Sequence, residues 1–226
     1  MRILVLCDDH YHPGNVPEAG VKLLDSEMLS FDVMFDAAEF ETGMLADYDV
    51  VIMSKADHTS GATEDPWKTY DVQKALVDFV SGGKGLVVTH SGTVAGKNTA
   101  VLDNLIGCKF KFHPAICPVT VDGIKPHPVM SGVNLFKLTD EHYHLDILQD
   151  DVNIVAAAYA DAQGDASKYE SDPYFNAPAA ITPAVLTRTE GKGRVCVIAS
   201  GHTEEVWTHP DFQTLLKNAV LWTSCQ

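Results

Sequence analysis

YDVQKALVDFVSGGKGLVVTHSG, residues 70–92, joins a helix, a stop and a strand that ends on a histidine. Val72, Leu76, Phe79 and Val80 fall on one helical face, Gly82-Gly83 supplies the stop, and GLVVT (85–89) is a short apolar run. The same alternation runs back to the start of the chain. RILVLC (2–7) reads as a buried strand. The segment 16–29 reads as a helix, with Val16, Ala19/Gly20, Leu23/Leu24 and Met28 at helical spacing. Residues 31–36 and 49–54 read as further strands around a short amphipathic piece. Short apolar runs alternating with helices predict right-handed βαβ crossovers and a parallel sheet buried on both faces.

Beyond residue 107 the pattern changes to residue-by-residue alternation broken by Pro and Gly, as in KFKFHP and PVTVDG. VNIVAAAYA (152–160) reads as a strand, and 184–200 as a hairpin turning at Glu190-Gly-Lys-Gly193. Residues 161–180 are polar and aperiodic, read either as a functional lid or as disorder. A closing helix carries Phe212, Leu215, Leu216, Ala219 and Trp222 on one stripe. The expected fold is therefore α/β: three layers, α/β/α, flavodoxin-like, with a mainly parallel central sheet and extra β-hairpins in the second half. One domain spanning 1–226 accommodates it.

With 16 basic and 31 acidic residues the net charge is −15. Such a surface argues against nucleic acid, which needs clustered Lys and Arg, and against an anionic membrane. Neutral or weakly charged small molecules remain as ligands. Five cysteines without a C-x-x-C spacing suggest a reducing compartment. The sequence enters a strand at once, without a signal-peptide pattern or a membrane-length apolar run, so a cytoplasmic location is expected. A homodimer stays open, only because such assemblies are common.

The histidines fall where strands end. RILVLC runs into Asp8, Asp9, His10 and His12; GLVVT runs into His90-Ser91-Gly92; VCVIAS runs into Gly201-His202. In open α/β sheets ligands bind outside the carboxyl ends of the strands. His90-Ser91-Gly92 looks like the strand–turn–helix elbow that presents a nucleophile, with an imidazole in the nucleophile's place. In Asp140-Glu141-His142-Tyr143-His144, an extended chain would put Glu141 and Tyr143 on a partly apolar side. Burial there would raise the Glu141 pKa toward a value useful for proton transfer. His142 and His144 would lie on the other, polar side, beside Asp140. His12, His90, His202 and Glu141 would suit a divalent metal such as zinc, although no contiguous zinc motif is present. Asp8 and Asp9 read equally as ligands or as ordinary strand-end residues. His58, His113, His127 and His209 read as loop or cap residues.

Three stretches resemble the ThuA-like, or trehalose-utilisation, family, which shares the architecture of class I glutamine amidotransferases. They are Gly82 to Gly92, His127-Pro128-Val129-Met130-Ser131-Gly132 leading to Thr139-Asp140-Glu141-His142-Tyr143, and Gly191 to Val195 with Gly201-His202-Thr203 and Pro210 through Trp222. The resemblance implies that His90 occupies the place of the amidotransferase cysteine, which removes thioester-based glutaminase chemistry. It also implies the handling of sugars, with keto-disaccharides or glycosides as the substrate class. The expected function is then carbohydrate catabolism by acid–base chemistry on a sugar or keto-sugar. His90 and Glu141 would move protons, His202 would orient or stabilise, and His10, His12, Tyr143, His144 and Arg188 would bind substrate. Tyr11, Tyr143 and Trp207 would offer rings for stacking. The alternatives are a zinc-dependent hydrolase using the same cluster, a serine hydrolase built from Ser91, His202 and Glu204, and a non-catalytic sugar-binding module.

Overall fold

The protein is described by a computed structural model covering residues 1–160 and 181–224. The segment 161–180, read above as lid or disorder, lies outside the described residues. The elements alternate at first as the apolar runs dictate: β1 (Arg2–Cys7), α1 (Asn15–Lys22), β2 (Ser30–Met34), β3 (Val50–Ser54), α2 (Tyr70–Ser81), β4 (Gly85–Thr89) and α3 (Ala100–Ile106). Then come β5 (Cys108–Phe112), β6 (Cys117–Gly123), β7 (Phe136–Asp140), β8 (His144–Ile147), β9 (Asn153–Ala160), β10 (Thr182–Glu190), β11 (Gly193–Ile198), α4 (Glu204–Thr208) and α5 (Pro210–Thr223).

Nine of these strands form one mixed sheet in the order β2-β1-β3-β4-β11-β10-β9-β6-β7. Its first five strands pair parallel, and everything from β11 through β7 pairs antiparallel. The sheet is thus half parallel rather than mainly parallel. The second-half hairpins are not additions beside it. They continue its ladder, because β11 would otherwise expose a row of unpaired amides and carbonyls. Among the described strands β5 and β8 pair apart from it, antiparallel.

Alternation along β1 sends Ile3, Val5 and Cys7 into a core with Val206, Trp207, Phe212, Leu215 and Leu216. Leu4 and Leu6 enter a second core with Leu76, Phe79, Leu102 and Leu105. Strands buried on both faces explain the unbroken apolar runs. Helix α1 ends at Lys22, well short of residue 29. Leu23 and Met28 are exposed, and the Ser26 hydroxyl accepts from the Leu29 amide in a turn that feeds β2. Cys7, Cys108, Cys117 and Cys196 are buried and unbridged. Among the described residues no helix is long and apolar enough to cross a membrane.

Candidate metal centre

Four side chains meet beyond the strand ends: His12 after β1, His90 closing β4, His202 after β11 and Glu141 after β7. One potential ligand atom from each lies within 4.8 Å of all the others. Glu141 Oε2 stands 3.2 Å from His90 Nε2, 3.2 Å from His202 Nδ1 and 3.8 Å from His12 Nε2. Donors around a tetrahedral ion with bonds of about 2.0–2.1 Å are separated by roughly 3.3 Å. The two 3.2 Å separations match that spacing, and the 4.8 Å limit on the others brings all four donors within reach of one small cation after modest side-chain adjustment.

Local backbone geometry aims these groups. His90 has φ +44°, a left-handed conformation that a non-glycine residue adopts at a cost. The turn it begins (His90–Thr93) can close because Gly92 has no side chain: a Cβ there would lie 2.1 Å from the Met53 carbonyl oxygen. Gly201 leaves room for His90 in the same way, since its Cβ would meet that of His90 at 2.9 Å. Asp140, fully buried, accepts hydrogen bonds from the Gly201 and His202 amides at 3.0 Å each and so sets the His202 loop.

A second layer of acceptors decides which ring nitrogen faces inward. His12 Nδ1 is 2.9 Å from Asp9 Oδ1, and His90 Nδ1 is 2.9 Å from the Ala199 carbonyl oxygen. Both partners can only accept, given that Asp9 is ionised, so each ring donates its Nδ1–H outward. A neutral ring then turns an Nε2 lone pair toward the Glu141 carboxylate. Acceptor facing acceptor is repulsive, and a cation, whether protons or a metal ion, relieves it. His12 Nε2 and His202 Nδ1 are both buried and face the Glu141 carboxylate, at 3.8 and 3.2 Å. Outward hydrogen bonds from ligating imidazoles to carboxylates or carbonyls are a regular companion of metal sites.

The electrostatics follow from this crowding. Burial would raise Glu141, but the imidazoles of His12, His202 and His90 outweigh it and hold the carboxyl well below the usual range. The expected upward shift is therefore overturned, and Glu141 stays ionised. Burial acts to lower His12, yet the Asp9 and Glu141 carboxylates raise it to about 9. Asp9 is held low despite burial by His12 and by the amides of Ala56 and Tyr11. Tyr143, buried and stacked 3.8 Å from His90, is pushed far up by burial and then by Glu141, so it remains a neutral phenol.

The other expected residues are not gathered here. His10 is exposed, 3.6 Å from Glu64. His144 stacks on Phe112 at 4.2 Å, and burial, with His142 and Lys111, lowers it to about 4. Arg188 pairs with Asp151 and Glu190 and donates to the carbonyls of Asn104 and Leu105, tying the end of α3 to β10. The 140–144 stretch is not regularly extended: β7 ends at Asp140, and Asp140, His142 and Tyr143 are all buried. Trp207 is wholly buried and donates to the Gly201 carbonyl, so it offers no face to a ligand. Among the described residues no serine triad forms: the Ser91 hydroxyl is buried without a partner, and Glu204 is exposed at the start of α4.

Three residues at the site escape sequence reasoning. Asp9 reads either way in the sequence, although its i,i+3 spacing to His12 is that of a turn. Asp140 falls on the polar side of an extended reading, yet it is buried. His113, which reads as a loop residue, lies 3.6 Å from Glu141 Oε1, with its Nδ1 2.7 Å from the Pro114 carbonyl. Nothing in the sequence around His113 signals that position.

The model of the ThuA family, described as trehalose utilisation, matches residues 2–223. A ThuA-like protein from Bacteroides uniformis ATCC 8492 superposes with a TM-score of 0.71 at 19% identity, covering 99% of this chain and 91% of that one. One from Parabacteroides merdae ATCC 43184 gives 0.73 at 16% identity, covering 99% and 89%. A cytoplasmic protein from Salmonella typhimurium gives 0.61 at 15% identity, covering 98% of each chain. At these identities the likeness is one of fold. No curated protein matches the sequence. With its family model aligned over nearly the whole length, the chain belongs to the ThuA, or trehalose utilisation, family.

Proposed function

We propose that this protein is a metal-dependent enzyme of carbohydrate catabolism, acting in the cytoplasm on a neutral sugar or keto-sugar. The family supports the sugar, and the flavodoxin-like, three-layer reading of the fold is supported by cores on both faces of β1. The observation that carries the metal is the convergence of buried nitrogens of His12, His90 and His202 on an ionised Glu141, with the outer nitrogens of His12 and His90 held by acceptors. Three imidazoles and a carboxylate suit zinc first, among divalent ions. A bound cation would supply Lewis acidity toward a sugar carbonyl or hydroxyl oxygen. The chain's own residues do the rest. Asp9 and Ala199 hold two of the imidazoles in their ligating tautomer. Tyr143 packs the His90 ring in place, and His113, partly exposed, stands at the rim where a substrate proton would be exchanged. Glu141, held ionised, fits a ligand better than the proton carrier expected from the sequence.

The test is metal content of tag-free protein by mass spectrometry, followed by turnover of a keto-sugar panel before and after chelation. Near-stoichiometric zinc, manganese or iron, absent from a His90→Ala/His202→Ala variant, with turnover lost on chelation and restored by metal, is the expected result. Protein that stays empty after incubation with these ions would return His90 and Glu141 to a metal-free acid–base role.

A further inference from the structure

Lys68, in the connection from β3 to α2, is buried, with 4% of its surface exposed. Its ammonium donates to the Val94 carbonyl at 3.2 Å and, more weakly, to the Gly92 carbonyl at 3.5 Å. Both carbonyls lie at the exit of the turn that His90 begins. Two hydrogen bonds tie that exit back to the entrance. The Thr93 hydroxyl donates to the His90 carbonyl at 2.7 Å, and the Val94 amide donates to the Ser91 carbonyl at 2.9 Å. Of the four side chains at the centre, His90 alone stands on a backbone with positive φ. Such a conformation persists only where its surroundings over-determine it.

The lysine is itself fixed at both ends of its backbone. Its amide donates to Asp57 Oδ1 at 2.8 Å, as the Trp67 amide does at 3.1 Å, and its carbonyl accepts from Gln73 Nε2 at 2.8 Å. Gln73, also buried, extends this frame to the Asn98 carbonyl and the Leu102 amide. Burial pushes Lys68 down to about 8, against the pull of Asp57 and Asp103, so the cation persists at neutral pH. A buried ammonium is a costly way to satisfy two carbonyls. A neutral amide does as much nearby, where Gln73 Nε2 serves the carbonyls of Lys68 and Asn98. What the charge adds is strength, because a charge-assisted hydrogen bond is roughly twice as strong as a neutral one. That strength is applied to the strained turn. Among the described residues the ammonium makes no hydrogen bond to the four side chains of the centre, so it reaches them through the backbone.

We infer that Lys68 is a positioning residue for the metal centre: its ammonium clamps the turn after β4 and so holds the His90 ring where it can bind the ion. The inference rests on the metal reading proposed above and adds what keeps the most strained ligand in place.

Two measurements on full-length Lys68→Met test it: zinc affinity by competition with a fluorescent chelator, and the ring-nitrogen NMR signals of His90 in metal-free protein. Lys84→Met is the control, since Lys84 pairs with Asp49 at the opposite end of β4. Zinc should bind Lys68→Met about tenfold or more weakly than wild type, the usual cost of losing support behind a ligand. Lys84→Met should match wild type. The His90 signals should move in Lys68→Met, while those of His127, packed on Trp222, stay in place. Should Lys68→Met fail to fold, Lys68→Gln, which keeps a donor at shorter reach, is read in the same way. Unmoved His90 signals, an unchanged zinc affinity, or an equal loss in Lys84→Met would overturn the clamp. The two proposals fail separately. Wild type that takes no zinc, with His90 signals that move in Lys68→Met, would sink the metal and keep the clamp. Wild type and Lys68→Met that take zinc equally well would do the reverse.

Discussion

Asp9 uses both carboxylate oxygens. Oδ1 receives the amides of Tyr11 and His12 and the His12 Nδ1–H, and Oδ2 receives the amide of Ala56. One side chain thus shapes the turn after β1, joins it to the end of β3 and chooses the His12 tautomer. Asp9→Asn keeps the size but places an NH₂ against one of these donors. Metal affinity in that variant should fall about 10–100-fold, the usual cost of losing a carboxylate behind a ligating imidazole. Competition with a fluorescent chelator measures it, and an unchanged affinity would remove Asp9 from the site. Lys55 acts from the other side of the same turn: wholly buried, it donates to the carbonyls of Cys7, Asp8 and Phe35. These roles are invisible in sequence because Lys55 and Asp9 look like any polar residues at strand ends.

At the scale of the elements, the turn from β4 into residues 90–93 is the tightest constraint on the site. Its strain is local to His90, and its clearance depends on Gly92 lying against β3. Gly92→Ala would force a methyl group onto the Met53 carbonyl, and overpacking of this kind costs about 1–3 kcal/mol or more. Gly43→Ala is the matched control, since a Cβ there meets nothing within 4 Å. Its effect should stay within about 0.5 kcal/mol. Urea midpoints of the two variants give the comparison. Equal destabilisation would mean that the Gly92 contact relaxes freely.

For the molecule as a whole, the centre ties together chain segments that follow β1, β4, β7 and β11. Metal at a hundred times its Kd would add about 2.7 kcal/mol to folding, or roughly 5–10 °C in Tm for a chain of this size. The pH response should depend on what fills the site. In metal-free protein His12 rises from its ordinary 6.5 to about 9, so the folded state holds its proton more tightly. That contribution is complete below 6.5 and is lost as pH climbs to 9. With metal bound the ring carries no proton there, and acid competes with the ion instead. Scanning calorimetry should show metal-free Tm falling between pH 6.5 and 9 while metal-loaded Tm holds, then falls in acid. Coincident curves would contradict a shared site for proton and metal. By itself the sequence determined the strands, the main helices, the elbow at His90 and the histidines that end β4 and precede α4, because periodicity and turn chemistry are local. Only the tertiary structure decided that the sheet is half antiparallel, that Asp9, Asp140 and His113 lie around the His12, His90, His202 and Glu141 cluster, and that Arg188 and His144 lie apart from it. Those outcomes depend on strand order and on carboxylates approaching imidazoles across long stretches of chain, and no local pattern encodes them.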